Sequence, residues 1–180
     1  MIDDAILLAA LAPIQVRGAI GGTLPLAESV EHAEQFVAVI PTQAHNLVDL
    51  GSGGGLPGLV IACRRPDLEI VLVERRRTRA DLLRRAVAAL ELVSRVTVLD
   101  EDVSALAQRQ PQFFDVATAR SFAAPAVTIR WAAALLRRGG RLVVSEPPTD
   151  DPNRWPNSLL APYGMIDMGR EQGVRCFEVG

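Results

Sequence analysis

The run Gly51-Ser52-Gly53-Gly54-Gly55-Leu56-Pro57-Gly58 lies between two apolar stretches, Asn46–Leu50 and Leu59–Ala62. No other feature limits the fold as strongly. Glycines at this density weaken a helix or a strand, so they mark a loop whose backbone turns sharply and lies bare. The stretch before them reads as a short buried strand over 46–50. The stretch after reads as a helix over 57–64, with Pro57 in its first turn, where proline is tolerated. A strand that runs through a glycine loop into a helix opens a parallel α/β unit.

The same alternation continues down the chain. "EIVLVE" (69–74), "RVTVLD" (95–100), "FFDVATA" (113–119) and "RLVVSE" (141–146) are strand-like. "TRADLLRRAVAALEL" (78–92) places leucines and alanines at helical spacing. "AVTIRWAAALLRR" (126–138) reads as a helix stopped by Gly139 and Gly140. Residues 147–162 are rich in Pro, Asp and Asn and read as a loop with at most a short helix. The last eighteen residues read as two strands around a turn near Gly169–Gly173. The expected fold is α/β and Rossmann-like: a mainly parallel sheet of about seven strands with helices on both faces. One domain is expected over 1–180. It comprises a helical N-terminal segment (1–45), a cofactor-binding core (46–146), and a loop with a C-terminal strand pair (147–180).

Composition narrows the class. Hydrophobic residues make up 49% and charged residues 22%, as in a globular protein. No apolar run is long enough to span a bilayer, so no membrane partner is expected. The opening "MIDDAILLAALAPI" begins with acids, so it reads as a helix capped by Asp3 and not as a secretory signal. Cys63 and Cys176 are far apart and lack metal-ligand spacing. They read as reduced, buried thiols, which points to the cytoplasm and to no metal. The net charge of −2 does not advertise a nucleic-acid binder, and all 19 basic residues are arginine.

In an open parallel sheet, ligands bind beyond the carboxyl ends of the strands, where the strand order reverses. The glycine loop follows the first strand. Gly53–Gly58 satisfies G-x-G-x-x-G, a weak match to a dinucleotide site. The wider pattern is Asp49-Leu50-Gly51-Ser52-Gly53-Gly54-Gly55, an acid two residues before G-x-G-x-G. It resembles motif I of class I methyltransferases, which bind S-adenosyl-L-methionine. A carboxylate beside the loop suits the cationic amino acid end of that cofactor and repels a pyrophosphate. Glu74 ends the second strand, where an acid can accept hydrogen bonds from ribose hydroxyls of either cofactor type. After the third strand, Asp102 could receive an adenine amino group and Val103 could cover the ring, with Ser104 beside them.

The stretch from Asp49 to Leu92, then "FFDVATARSFA" and "LLRRGGRLVV", resembles the RsmG (GidB) family over about residues 30–146. Members methylate N7 of a guanine in small-subunit ribosomal RNA. Leu56-Pro57-Gly58 and Ala119-Arg120-Ser121-Phe122-Ala123 carry the resemblance. By position, it implies cofactor contacts at Gly51, Leu56, Val103–Ser104 and Arg120, and ribosomal RNA or the small ribosomal subunit as partner. Two places depart from the family pattern. Asp102-Val103-Ser104 replaces an Arg, a small residue and Glu, and Ser145-Glu146-Pro147-Pro148 replaces a Lys-Gly.

Methyl transfer is an in-line displacement in which the protein supplies binding and alignment. Guanine N7 has a free lone pair, so no proton must leave before attack. No Asp/Asn-Pro-Pro-Tyr/Phe follows the fourth strand, and neither cysteine sits there. Amino-group and cytosine-C5 chemistry are therefore disfavoured. His32 and His45 read as structural or exposed. Arg120, after the fourth strand, is the candidate catalytic residue, able to hold the cofactor carboxylate or an acceptor phosphate through its planar fork. Phe122 could stack on a base. The basic concentration from Arg75 to Arg85 offers Arg76, Arg77 and Arg84 as RNA contacts. The residues leave open a small-molecule acceptor and a non-catalytic cofactor- or RNA-binding module. A dehydrogenase is disfavoured, because a chain without lysine cannot form a Tyr-x-x-x-Lys pair.

Overall fold

The computed structural model describes residues 2–20, 25–149 and 151–180. Helices α1 (Asp4–Val16) and α2 (Leu26–Val39) precede β1 (Asn46–Leu50), α3 (Gly58–Arg64), β2 (Glu69–Val73), α4 (Arg77–Ala89) and β3 (Val96–Leu99). Then come α5 (Val103–Arg109), β4 (Phe114–Ala119), α6 (Pro125–Leu135), β5 (Leu136–Ser145), the short α7 (Asn157–Leu160), β6 (Met165–Glu171) and β7 (Val174–Val179). The seven strands lie in the order β3-β2-β1-β4-β5-β7-β6. The strands from β1 to β5 pair in parallel, and β7 is antiparallel to both its neighbours. The order reverses between β1 and β4, so the loops after those strands border one crevice.

Alternation along the strands builds two cores. Leu47, Ile70, Leu72, Val116 and Val143 face α1 to α4, packing with Leu7, Phe36, Leu59 and Leu83. Val48, Leu50, Val73, Ala117 and Leu142 face α5 to α7, packing with Leu106, Ile129, Leu160 and Phe177. Helices thus cover both faces, as a parallel sheet requires. Asp3 caps α1, its Oδ1 accepting from the Ala5 amide at 2.7 Å.

Two elements differ from the sequence expectation. A helix, α5, separates β3 from β4, where the alternation read as two consecutive strands. Asp102 is its N-cap, accepting from the Ser104 amide at 2.9 Å. Helix α6 also stops at Leu135, and Leu136–Gly140 belongs to β5. Leucine and arginine favour a helix there, but the strand partner wins. The Gln112 and Phe113 amides donate to the Ala134 and Leu135 carbonyls, and Leu136 pairs with Phe114.

Asp115 fastens the start of β4 to that of β1. Its Oδ2 accepts from the His45 and Asn46 amides at 2.6 and 3.1 Å, and its Oδ1 from Arg137 Nε at 2.5 Å. Burial alone would raise its pKa, yet these amides and the Arg137 charge hold it below the usual carboxylate range. A depressed pKa adds stability above the unfolded-state value, and this is lost as pH falls through the folded value. Asp115→Ala should cost about 3 kcal/mol in urea unfolding at neutral pH, since charged hydrogen bonds are lost and buried donors orphaned. The gap from the parent should shrink in acid. An equal gap at acidic and neutral pH would contradict the assignment.

Candidate active site

The loop after β1 is held from below and from the side. Below it, the Asp49 side chain is buried. Its Oδ1 accepts from the Thr118 hydroxyl at 2.7 Å, and its Oδ2 has no hydrogen-bond partner among the described residues. A Cβ on Gly58 would meet Asp49 Oδ2 at 2.8 Å and Leu72 Cδ2 at 2.4 Å, so α3 can start this close to β1 only with glycine there. At the side, Ser52 N donates to the Val73 carbonyl at 2.8 Å. Glu74, one residue past β2, accepts from Gly53 N at 3.0 Å and from Arg76 N at 2.8 Å.

Two cavities flank this loop. The first, of about 340 Å³, lies between the ends of β1, β2 and β3. Val73, Val103, Phe122, Val127 and Trp131 give it apolar walls, and Glu74, Asp102 and Gly51 border it. The second, of about 420 Å³, runs along Gly51–Gly54 and Leu56 to Arg79, Arg120 and Ser121, with Ala19 and Ile20 on its far rim. A Cβ built on Gly53 would make only ordinary van der Waals contacts, the nearest with the Gly51 carbonyl oxygen at 3.7 Å, so the loop is not packed tight on that side. On Gly54 it would meet Ile20 Cγ1 at 2.4 Å, so the residues after α1 lie directly on the loop. A third cavity, of about 500 Å³, opens beyond β4 and β5 and shares Arg120, Ser121 and Phe122 with the others. Ser121 has φ +54°, uncommon for a residue with a side chain, at the point where all three cavities meet.

Not every expected residue faces the cavities. Gly51, Gly53, Leu56, Glu74, Asp102, Val103 and Arg120 border one or both of the loop cavities. Asp49 does not: it is buried behind the loop, with Thr118 and Gly58 against its carboxylate. Gly55 faces Leu59 and Leu83, which a Cβ would meet at 2.5 and 3.1 Å, so it serves packing. The Ser104 hydroxyl donates to Asp102 Oδ1 at 2.6 Å and completes the α5 cap. Phe122 lies on Gly51, where a Cβ would meet its ring at 2.6 Å.

Charge follows the same geometry. Burial raises the Asp49 pKa to about 6, held back by the Thr118 hydrogen bond and the Arg120 charge. The Arg120 guanidinium donates to the Ser29 carbonyl of α2 at 3.3 Å. Burial pulls its pKa down and Asp49 pushes it up. Burial, then Arg120, also lowers the pKa of His32, so this imidazole is neutral at pH 7. Arg84 is committed elsewhere, to Asp81 at 2.8 Å and Asp100 at 3.7 Å. Arg76 borders the first cavity, and Arg77 is exposed at the start of α4. Sequence reasoning missed Arg17, at the end of α1. With Arg79 and Arg85 it borders a further cavity of about 510 Å³. The side chains of Arg17, Arg77, Arg79 and Arg85 have no hydrogen bond or ion pair among the described residues. No signal along the chain links Arg17 to α4; only the packing of α1 on α4 does.

Strand order, the glycine loop after β1 and the acid after β2 define a class I methyltransferase fold. Solved structures of that architecture superpose on it. A cofactor-bound crystal structure of Rv0187 from MTB aligns with TM-score 0.65 at 20% identity, covering 98% of this chain and 90% of that one. The O-methyltransferase from Bacillus cereus in complex with SAH aligns with TM-score 0.65 at 17% identity, over 99% and 92%. The chain belongs to the GidB family, the rRNA small subunit methyltransferase G proteins, whose model matches residues 26–147. It is 42% identical over 106 residues to the ribosomal RNA small subunit methyltransferase G of Acidiphilium cryptum, covering 59% of this chain and 46% of that one. It is 33% identical over 141 residues to that of Mycobacterium leprae, covering 73% and 54%. The chain thus spans about half the length of the curated relatives it matches. No helix among the described residues is long and apolar enough to cross a membrane.

The Asp49 environment makes a pH prediction. Unfolded, its carboxyl titrates near 3.8; folded, near 6. Between these values the folded state holds a proton that the unfolded chain releases, so stability falls as pH rises through the window and levels off above it. The decline due to this group is about 3 kcal/mol. Asp49→Asn keeps an acceptor for Thr118 and should remove that decline in urea unfolding across the window. Parallel curves for parent and variant would contradict the assignment.

Proposed function

We propose that the chain transfers a methyl group from S-adenosyl-L-methionine to N7 of a guanine in small-subunit (16S) ribosomal RNA. The observation that carries this reading is a cavity that brings the apolar side chains Val73, Val103, Val127 and Trp131 together with the acids Glu74 and Asp102. It lies beside a bare glycine loop and adjoins the cavity beyond β4 and β5 through Ser121–Ala123. The loop cavity has the size and lining of a nucleoside site. Val103 and Trp131 would hold the adenine between them. Each Glu74 oxygen already accepts one amide and keeps a lone pair for a ribose hydroxyl. The second loop cavity would take the amino acid end, with Arg120 donating to its carboxylate.

The cofactor, when bound, supplies an electrophilic methyl on sulfur. The protein's task is alignment. Phe122 borders both the nucleoside cavity and the cavity beyond β4 and β5, where it can stack on an entering base. Guanine N7 brings its own lone pair, so no side chain has to remove a proton. The unpaired Arg17, Arg77 and Arg85 suit the RNA backbone. The acidic stretch "SEPPTDD" is a smaller obstacle to phosphate than its composition suggests. The Glu146 side chain has no solvent exposure, so its charge is not presented at the surface.

Mass spectrometry of nucleosides from small-subunit ribosomal RNA, with and without the gene, should show 7-methylguanosine lost at one position. An unchanged nucleoside profile would sink the RNA assignment. S-adenosyl-L-methionine should raise the melting temperature, because a ligand of the native state stabilises it by mass action, and NAD should not. Gly53→Val places a side chain in the cradle and strains a φ of +54°, so it should abolish that shift.

Arg120→Ala should fold and lose at least about tenfold in turnover, as expected for a lost charged hydrogen bond. Full activity in this variant would refute its role. Replacing Arg17, Arg77 and Arg85 together by Gln should weaken RNA binding and flatten its log–log salt slope by about two units, at about 0.7 per phosphate contact. Turnover that ignores salt and these arginines would move the assignment to a small-molecule acceptor.

A further inference from the structure

Glu146 follows β5 at the cavity beyond β4 and β5, whose walls also include Arg120, Phe122, Arg154 and Trp155. Its side chain has no solvent exposure. Oε1 accepts from Trp155 Nε1 at 2.7 Å and lies 3.4 Å from Arg154 Nε. Among the described residues Oε2 accepts from nothing, and Arg154 Nε also makes no hydrogen bond. Buried polar atoms are nearly always paired, so an orphaned acceptor and an orphaned donor in one cavity wall need an explanation. Arg154 is the movable part of the pair, with a side chain 34% exposed.

We propose that Glu146 is the residue that selects guanine as the acceptor base, its carboxylate accepting from guanine N1–H and the 2-amino group. This rests on the guanine reading above and names what would enforce it. Enzymes that act on an extruded base read its Watson–Crick edge by hydrogen bonds and clamp its faces by stacking. Of the four bases, only guanine offers two adjacent N–H donors on that edge. Adenine and cytosine place a ring acceptor beside the amino group, and uracil places its one N–H between two carbonyls. A carboxylate satisfies guanine and repels the others. N7 lies on the opposite edge of the ring. A guanine held at Glu146 would therefore turn N7 toward Arg120–Phe122, where this cavity joins those beside the glycine loop. Arg154 lifts off the carboxylate as the base enters. The Glu that replaces the family's Lys-Gly motif is thus a reader of the base.

Trp155 reports on this contact directly. With Trp131→Phe in the background, Trp155 is the remaining tryptophan. Its emission is followed while the full chain is titrated with guanosine, inosine or adenosine 5′-monophosphate. All three carry the same phosphate, and inosine lacks only the 2-amino group. Guanosine monophosphate should bind about tenfold tighter than inosine monophosphate, the worth of one hydrogen bond to a charged acceptor, with the adenosine nucleotide weaker still. Glu146→Gln should fold, keep the Trp155 hydrogen bond and abolish the preference. Glu146→Asp withdraws the carboxylate by one methylene, and it should abolish the preference too. Equal affinities in the parent, no response to any of the three in the millimolar range, or a preference that survives both substitutions would overturn the proposal. The nucleoside assay above tests the guanine acceptor independently. A methylated guanine together with an indifferent Glu146 would sink only this inference.

Discussion

The Thr118 hydroxyl donates to Asp49 Oδ1 across the β1–β4 pair at 2.7 Å, joining the two strands between which the sheet order reverses. Much else is arranged around that buried carboxylate. Its second oxygen lies where a side chain on Gly58 would be, so α3 begins hard against β1. Its charge is answered by Arg120, which in turn holds the Ser29 carbonyl of α2. An acid on β1 thereby fixes the height of the glycine loop, the start of α3, the placing of Arg120 and the seat of α2. Isolated buried charge is costly, and the opposite charge of Arg120 offsets part of that cost.

The sheet divides the work. β1, β2 and β3 end in the loop, acid and cap that border the nucleoside-sized cavity, while β4 and β5 end in Arg120, Phe122 and Glu146. The cavity beyond β4 and β5 and the cavity beside Glu74 share Ser121, Phe122 and Ala123, so the two halves of the sheet meet along the stretch after β4. The stretch at the end of β5 borders only the first of these two cavities. The departure from the family at Ser145–Pro148 falls entirely within it.

Most of the frame was legible because its signals are local. Apolar runs gave the strands, glycines the loop after β1, and Asp3 the start of α1. The errors arose where distant partners decide. Helix α5 is only seven residues long and lacks a clear apolar period, although Asp102 and Ser104 spell its cap. The end of α6 was overrun because Leu136–Arg138 has helical propensity, and its strand partner is more than twenty residues away. Among site residues, Gly51, Glu74, Val103 and Arg120 lie where strand ends predict. Arg84 looks like a phosphate contact until Asp100 is folded beside it. Arg17 carries no local signal at all. Position along a strand is a reading of the chain; pairing between distant side chains is a property of the packing.

Ile20 and Ala19 lie against Gly54, while the stretch matched by the family model begins at residue 26. The boundary set by shared ancestry and the boundary of the cradle are therefore different lines. A fragment trimmed to the matched stretch would keep β1 to β5 and the glycine loop yet lose β6, β7 and one wall of the chamber beside that loop. The piece that encloses the chamber is larger than the piece that can be recognised.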